Sequence, residues 1–209
     1  MKHVTDRVSN PFGMAPPCEH SPDAGRPVFG YGDANADFHL IGDHPGVHGG
    51  ETTGVPFTGT DSGDAVYELT VDLGFASGPR NRPVVANLFA SYLHLCPLPD
   101  GRDPTDEEYA SLEPVFDAEL RAINAHVLLP VGDRATDHVL RAYTTQRDRL
   151  DLEMADLHAS EIRGRGVLVV PIREPTEWET NERETIRETL AEILASDYRQ
   201  TKGVSTRVG

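Results

Sequence analysis

Several side chains that can do acid–base chemistry follow short apolar runs of the sequence. Asp43 and His44 lie in the turn 42–46 (GDHPG), directly after the first such run. Tyr92 lies three residues beyond the second run, and Glu174 comes shortly after the fourth. A carboxylate or an imidazole can move a proton or stabilise a charge that develops during hydrolysis. These side chains are therefore candidates for one polar cleft.

A loop bounded by glycines, residues 54–59 (GVPFTG), adds an aromatic side chain to these candidates. Phe57 in this loop could form a pocket wall that stacks on a planar ligand, although core packing is the commoner role of Phe and the two can coexist. Asp43 likewise has a simpler interpretation, because Asp before a Pro-Gly pair is ordinary turn chemistry.

Four apolar runs separated by helical patterns must position these residues. The runs 37–41, 84–89, 126–131 and 167–172 are apolar on both alternating faces, which is typical of buried parallel strands. Helices are predicted over 61–73, from Thr105 through the acidic segment that follows it, over 135–147 and over 179–196. This alternation predicts an α/β fold, a three-layer α/β/α sandwich around a four-stranded parallel sheet. Functional residues of such sheets lie beyond the carboxyl ends of the strands.

The length of 209 residues indicates one domain. We expect a loose N-terminal segment over residues 1–27, the domain over 28–198 and a C-terminal tail over 199–209. No apolar stretch is long enough for a membrane span, and the first residues lack the apolar core of a signal peptide. A cytoplasmic monomer that does not contact membranes is the expectation.

The charge balance is strongly acidic, with 34 Asp and Glu against 19 Lys and Arg and a net charge of −15. Only Lys2 and Lys202 are lysines. Such a surface is typical of a protein that stays soluble in concentrated salt, where its self-repulsion is screened. The composition therefore favours a halophilic source, the alternative being an ordinary acidic protein from an arginine-biased genome. It argues against non-specific binding of nucleic acid, but this objection weakens in concentrated salt.

The order of the motifs resembles the uracil-DNA glycosylase superfamily, and especially its family 4, the iron–sulfur branch. The motifs are FGYGDANAD from Phe29, GDHPG from Gly42, GVPFTG from Gly54, ASYLHLC followed by PLPDGRDPTDEE, then LPVG and REPT. The resemblance spans residues 27–196. It implies an enzyme that hydrolyses the N-glycosidic bond of a damaged base that is flipped out of DNA.

The resemblance also implies roles for single residues. Asp43 matches the acidic residue that positions water or stabilises the sugar cation, and Phe57 matches the Phe that stacks on the extruded base. Tyr92 stands where the family has an Asn that reads the pyrimidine edge. The substrate-binding residues implied in this way are Gly42, His44, Pro45, Gly46, Phe57, Tyr92 and Glu174.

Glu174 stands where the family has a His that stabilises the departing base. A carboxylate there would repel an anionic leaving group unless it were protonated. Because a carboxylate accepts hydrogen bonds, a base with an exocyclic amino group or a protonated ring nitrogen would suit Glu174 better than uracil.

The cysteines match the family's metal site only in part. Two cysteines are too few for a disulfide framework or a four-thiolate site. Cys96 matches the third cluster ligand, Cys18 matches one of the first two, and the fourth position falls on Leu112. We therefore predict no standard [4Fe–4S] cluster and no other cofactor. The remaining metal hypothesis is that Cys18 and Cys96 hold a different metal with help from His20 or His94.

The sequence leaves three functions open. The leading one is a glycosylase that acts on DNA containing a damaged base. The second is a diverged, non-catalytic member that binds a nucleobase, nucleotide or partner protein, and the third is an enzyme for a small nucleoside-like substrate. His44 and His48 are spaced for metal binding on one helix face, but Pro45 and the neighbouring glycines argue against a helix there.

Overall fold

A six-stranded sheet forms the centre of the fold in the computed structural model, which describes residues 8–20, 25–145 and 153–198. The strands are β1 (Tyr31–Gly32), β2 (Phe38–Gly42), β3 (Ala76–Ser77), β4 (Val84–Val85), β5 (Leu88–Tyr92), β6 (Val127–Pro130), β7 (Ile162–Arg163) and β8 (Leu168–Val169). The strand order is β1-β5-β2-β6-β8-β7, and β3 pairs with β4 in a separate hairpin. The four central strands are parallel, as predicted, and β1 and β7 add an antiparallel strand at each edge.

Helices cover both faces of this sheet, which confirms the three-layer α/β/α arrangement. They are α1 (Pro45–His48), α2 (Asp61–Asp72), α3 (Asp106–Ile123), α4 (Gly132–Tyr143), α5 (Met154–Leu157) and α6 (Glu182–Ala195). Apolar side chains of α2 and α6 pack on the face of the sheet that carries Phe38 and Leu40. Those of α3 and α4 pack on the opposite face, against Ile41 and Leu128. The alternation of buried residues along each strand supplies both cores.

Two predicted elements have different limits in the structure. The run 84–89 divides into β4 and β5, because Asn87 adopts a left-handed conformation with φ of 56° and its side chain accepts a hydrogen bond from the Asp37 amide. The helix predicted over 135–147 corresponds to α4, which begins at Gly132 and ends at Tyr143. The last two residues of the predicted range lie outside the described residues.

The start of α3 follows its sequence signal. Thr105 and Glu108 form a reciprocal capping box, and Arg102 donates to both carboxylate oxygens of Glu108. This cap fixes the first turn of α3 and with it Tyr109, whose hydroxyl reaches the candidate site.

The N-terminal segment is attached to the domain wherever the structure describes it. Gly32 donates to the Val8 carbonyl, Asn10 donates to the Gly30 carbonyl, and Cys18 forms a disulfide with Cys96 across a Cα–Cα distance of 6.1 Å. Residues 8–20 are thus held to the edge strand and to the end of β5. The rest of the predicted loose segment before residue 8, and the predicted tail 199–209, lie outside the described residues.

The disulfide is expected to contribute substantially to stability, because its cysteines are 78 residues apart in sequence. Closing a loop of that size in the unfolded chain corresponds to about 4 kcal/mol. We expect the Cys18→Ala/Cys96→Ala variant to lose about that much unfolding free energy in urea titrations. A reducing agent should produce the same loss in the parent chain and no further loss in the variant. An unfolding midpoint that reductant does not move would contradict the expectation.

A cluster of three polar side chains, from His39, Ser91 and Glu119, is buried between β5 and α3. The Ser91 hydroxyl lies 2.8 Å from His39 Nε2 and also interacts with the Glu119 carboxyl. Burial raises the pKa of Glu119 to about 7, although Ser91 opposes that rise. Glu119 therefore gains a proton on folding at mildly acidic pH.

The raised Glu119 pKa makes stability depend on pH. A group with a raised folded pKa stabilises the protein fully below its unfolded value of 4.5, and this contribution is lost as pH rises through about 7. The difference corresponds to at most about 3 kcal/mol. We expect Glu119→Gln to remove this part of the decline in unfolding free energy between acidic and weakly alkaline pH. Parallel pH–stability curves for the variant and the parent would contradict it.

Candidate active site

A cavity of about 510 Å³ opens at the carboxyl ends of the central strands. Five carboxylates and a single arginine give it a strongly negative lining. The residues around it are Asp43, Val47, His48, Asp103, Pro104, Tyr109, Val131, Gly132, Asp133, Arg134, Glu174 and Glu177. Of the predicted site residues, the structure thus places Asp43 and Glu174 on the cavity wall.

Asp43 is half-buried at the end of β2, and a tyrosine fixes its carboxylate. The Tyr109 hydroxyl donates to Asp43 Oδ1 at 2.5 Å. Burial and this hydrogen bond raise the pKa of Tyr109, so its hydroxyl stays protonated and keeps donating. The Arg134 guanidinium lies 4.2 Å from the centre of the Tyr109 ring and pairs with Asp106 at 3.3 Å, which holds the ring in place.

His48 connects the ends of two strands. Its Nδ1 accepts a hydrogen bond from the Asp43 amide at 3.1 Å, and its Nε2 lies 3.0 Å from Glu174 Oε2. A nitrogen that accepts from an amide carries no proton, so His48 is the Nε2–H tautomer that donates to Glu174. The side chain is 1 % exposed, so these two contacts account for both ring nitrogens.

The prediction that the segment after His44 would not be helical is wrong. Pro45 occupies the first position of α1, where a missing amide costs nothing, and His44 Nδ1 caps the turn by accepting from the Gly46 amide at 3.2 Å. The single turn that results carries His48 into the site. The four-residue spacing of His44 and His48 was the available signal, but the two imidazoles serve different partners and do not form a metal site.

Glu174 is an ionised carboxylate. Burial would raise its pKa, but the hydrogen bonds from His48, the Ser62 hydroxyl and the Thr176 backbone outweigh burial and lower the pKa below its usual range. A Cβ at Gly132 would lie 3.5 Å from Oε2, so the carboxylate lies against the first turn of α4, whose partial positive charge favours an anion. Oε2 is engaged by His48, and Oε1 is buried.

Phe57 and Tyr92 lie behind the cavity wall. Phe57 is 2 % exposed, and its ring centre lies 5.3 Å from that of Tyr92 and 5.2 Å from that of His48. The Phe57 ring thus has no face open to solvent on which a base could stack. Gly42 permits this packing, because a Cβ there would lie 2.7 Å from atoms of both Phe57 and Tyr92.

The other residues of the turn do not line the cavity. His44 Nε2 lies 3.3 Å from Asp103, and burial lowers the pKa of His44 despite the nearby carboxylates. Pro45 is buried at the start of α1, whereas Gly46 is exposed. His44 therefore anchors the loop before α3.

The site of the family's cluster holds a disulfide and an apolar cluster. Cys18 and Cys96 are bonded to each other in this structure, so neither sulfur is a free thiolate that could hold the metal suggested for this pair. Leu112, at the fourth ligand position, packs against Cys96 and Leu95. Among residues 8–20, 25–145 and 153–198, no group of three or more His, Cys, Asp and Glu could hold a metal. These residues do not fit a four-cysteine cluster.

We expect His48→Ala to destabilise the protein by about 3 kcal/mol, because it leaves a buried carboxylate without its donor. His48→Gln, whose amide can still donate to Glu174, should lose about half as much. His48→Asn can keep only the contact with the Asp43 amide, so it should resemble alanine more closely. Urea unfolding of the three variants tests this order, and equal losses for alanine and glutamine would contradict it.

Comparison with known proteins identifies the family. The profile of the Uracil DNA glycosylase superfamily matches residues 29–195. A type-5 uracil-DNA glycosylase of Pyrobaculum aerophilum is 30 % identical over 178 residues, which cover 81 % of this chain and 74 % of that protein. A type-4 uracil-DNA glycosylase of Saccharolobus solfataricus is 22 % identical over 175 residues, 84 % of this chain and 74 % of that protein.

Shorter matches have higher identity. A type-5 uracil-DNA glycosylase of Thermus thermophilus is 38 % identical over 120 residues, 55 % of this chain and 54 % of that protein. The match to the type-5 enzyme of Mycobacterium leprae also covers about half of each protein, 56 % of this chain and 54 % of the relative. The profile match over most of the chain shows that this protein belongs to the uracil-DNA glycosylase superfamily.

Proposed function

We propose that this protein hydrolyses the N-glycosidic bond of a damaged, deaminated base in DNA, as a step of base excision repair. The observation that carries the proposal is Asp43, held by Tyr109 at the end of β2 on the wall of an open cavity. Membership of the superfamily and relatives named uracil-DNA glycosylases support the same reaction.

The chemistry asked of Asp43 is electrostatic. Breaking an N-glycosidic bond develops positive charge on the sugar, and a fixed carboxylate beside it stabilises that charge or orients the attacking water. The hydrogen bond from Tyr109 keeps the carboxylate in one orientation, so little reorganisation is needed during the reaction. The base itself must leave the stack to reach Asp43 in this cavity.

Glu174 governs which base can leave. An ionised carboxylate repels a base that departs as an anion. Its Oε2 accepts from His48, and its Oε1 is buried. The site therefore favours a base that departs neutral, after protonation of a ring nitrogen or with an amino group near Glu174.

No helix in the described part of the chain is long and apolar enough to cross a membrane. We place the activity on DNA in the cytoplasm, in a monomer.

The direct test is base release from oligonucleotides that carry uracil, hypoxanthine or xanthine, single- and double-stranded. The assay uses molar KCl, because a net charge of −15 repels DNA unless it is screened. We expect abasic sites to form with the parent chain and Asp43→Asn to reduce their rate about 100-fold or more, since asparagine keeps the shape but not the charge.

Asp156→Asn removes one negative charge from an exposed side chain on α5. This variant is the matched control and should keep the parent rate. Equal rates for Asp43→Asn and the parent would overturn the role of Asp43. Absence of product on every substrate would overturn the proposed reaction.

One observation favours a second function, the non-catalytic binding of a nucleobase or nucleotide. Glu174 is ionised where the resemblance places a histidine, and an ionised carboxylate opposes the departure of an anionic base. Binding of a free base or nucleotide without any turnover of DNA would support this candidate. The affinity for a free base should change little with salt concentration, whereas the affinity for DNA should fall steeply as salt concentration rises.

A further inference from the structure

We propose that the cavity at the carboxyl ends of the central strands takes bases that already carry a positive charge, such as purines alkylated on a ring nitrogen. It releases these bases from DNA as neutral molecules. The proposal rests on the proposed hydrolysis at Asp43 and adds a class of substrate to it. Deaminated bases are neutral in DNA and depart as anions unless they are protonated, so the two classes make opposite electrostatic demands on the site.

Two neutral side chains of the cavity lining carry acidic protons, and both protons are engaged. The Nε2–H of His48 donates to Glu174, and the Tyr109 hydroxyl donates to Asp43. Burial raises the pKa of Tyr109, which makes this hydroxyl a poor acid. A base that must take a proton from these groups is poorly served, whereas a base with a fixed positive charge needs no proton.

Two further carboxylates of the lining, beside Asp43, have neutral partners. Glu174 accepts from His48, which is the neutral Nε2–H tautomer. Asp103 lies 3.3 Å from His44 Nε2, and burial lowers the pKa of this imidazole, which keeps it neutral. Because these partners bring no full positive charge, the carboxylates attract a cation that enters the cavity.

The lining already holds one planar cation. The Arg134 guanidinium lies 4.2 Å from the centre of the Tyr109 ring, and its Nη1 lies 3.3 Å from Asp106 Oδ1. An aromatic face and a carboxylate thus bind a flat, delocalised charge at the wall of the cavity. An alkylated purine is a cation of the same kind, and a cavity of about 510 Å³ has room for it.

The charges balance in the hydrolysis of such a base. When the bond between the anomeric carbon and the ring nitrogen breaks, its electron pair stays on the base and cancels the positive charge. The sugar carries the cationic character of the transition state, which the Asp43 carboxylate stabilises, and water adds to it and loses one proton. The products are a neutral base, an abasic site and a proton. Glu174 therefore never faces an anion.

Duplex DNA methylated with dimethyl sulfate supplies the test substrate, because it contains cationic N7-methylguanine and N3-methyladenine. Release of both bases is measured at neutral pH in molar KCl, against the same DNA without protein. Release of uracil and hypoxanthine from oligonucleotides is measured under the same conditions. We expect the parent chain to release the methylated purines above the protein-free rate and faster than either deaminated base.

Glu174→Gln tests the role of the charge. The glutamine carbonyl can still accept from His48, so the link between the strand ends is kept while the negative charge is lost. Release of the methylated purines should fall about tenfold or more, whereas release of hypoxanthine should rise. Glu161→Gln makes the same change at an exposed residue between α5 and β7, and it should leave both rates unchanged.

Two results would overturn this proposal alone. The first is a parent chain that releases uracil or hypoxanthine but no methylated purine above the protein-free rate. The second is a Glu174→Gln variant that slows the release of every base equally. Release of methylated purines alone would support the proposal and overturn a deaminated base as the substrate. Release of no base at all would overturn the proposed reaction together with this proposal.

Discussion

The arrangement of the site depends on the two hydrogen bonds of the His48 imidazole. Asp43 follows β2 and Glu174 comes after β8, and these strands are separated in the sheet by β6. His48 joins the two ends by accepting from one backbone amide and donating to the other residue's carboxylate. Both hydrogen bonds require the Nε2–H tautomer of His48. A change of tautomer would therefore break both of them. The imidazole also covers one side of Phe57, so it links the polar cavity to the aromatic cluster behind it.

Glu174 is compatible with the fold because of this bond. A half-buried carboxylate without a donor would take up a proton or turn to solvent, and His48 with the start of α4 prevents both. The carboxylate at this strand end is thus accompanied by a histidine on α1. The chemical consequence is that the site stabilises positive charge through Asp43 and Glu174. It offers little to an anionic leaving group, with Arg134 already paired to Asp106 and stacked on Tyr109.

Much of the fold was predictable, because its signals are local. The buried runs of the central strands and the cap at Thr105 are read directly from residue types and spacing. The two-residue edge strands β1 and β7 are too short to show any period. The disulfide depends on the approach of residues 78 apart, which no local pattern reports. Asp43 was found by sequence reasoning, and the cavity contains it.

The role of His48 was missed for a different reason. Pro45 and the neighbouring glycines argue against a helix, although proline is favoured at the first helical position. The single turn that forms brings His48 to Glu174. The burial of Phe57 was also not foreseeable, because it depends on the direction in which the Tyr92 side chain leaves its strand. Sequence identifies which residues meet at the strand ends. Their tautomers, charges and accessibility follow only from the contacts among them.

The link that His48 forms between Asp43 and Glu174 is tested most directly by the protonation pattern of its imidazole. Long-range ¹H–¹⁵N NMR of the histidine side chains near neutral pH reports that pattern. The His48→Gln spectrum would assign the signals. We expect one neutral form, with the proton on Nε2 and an unprotonated Nδ1, and we expect Glu174→Gln to shift the Nε2 signal. A proton on Nδ1, or a mixture of tautomers indifferent to Glu174→Gln, would contradict the link between the two strand ends.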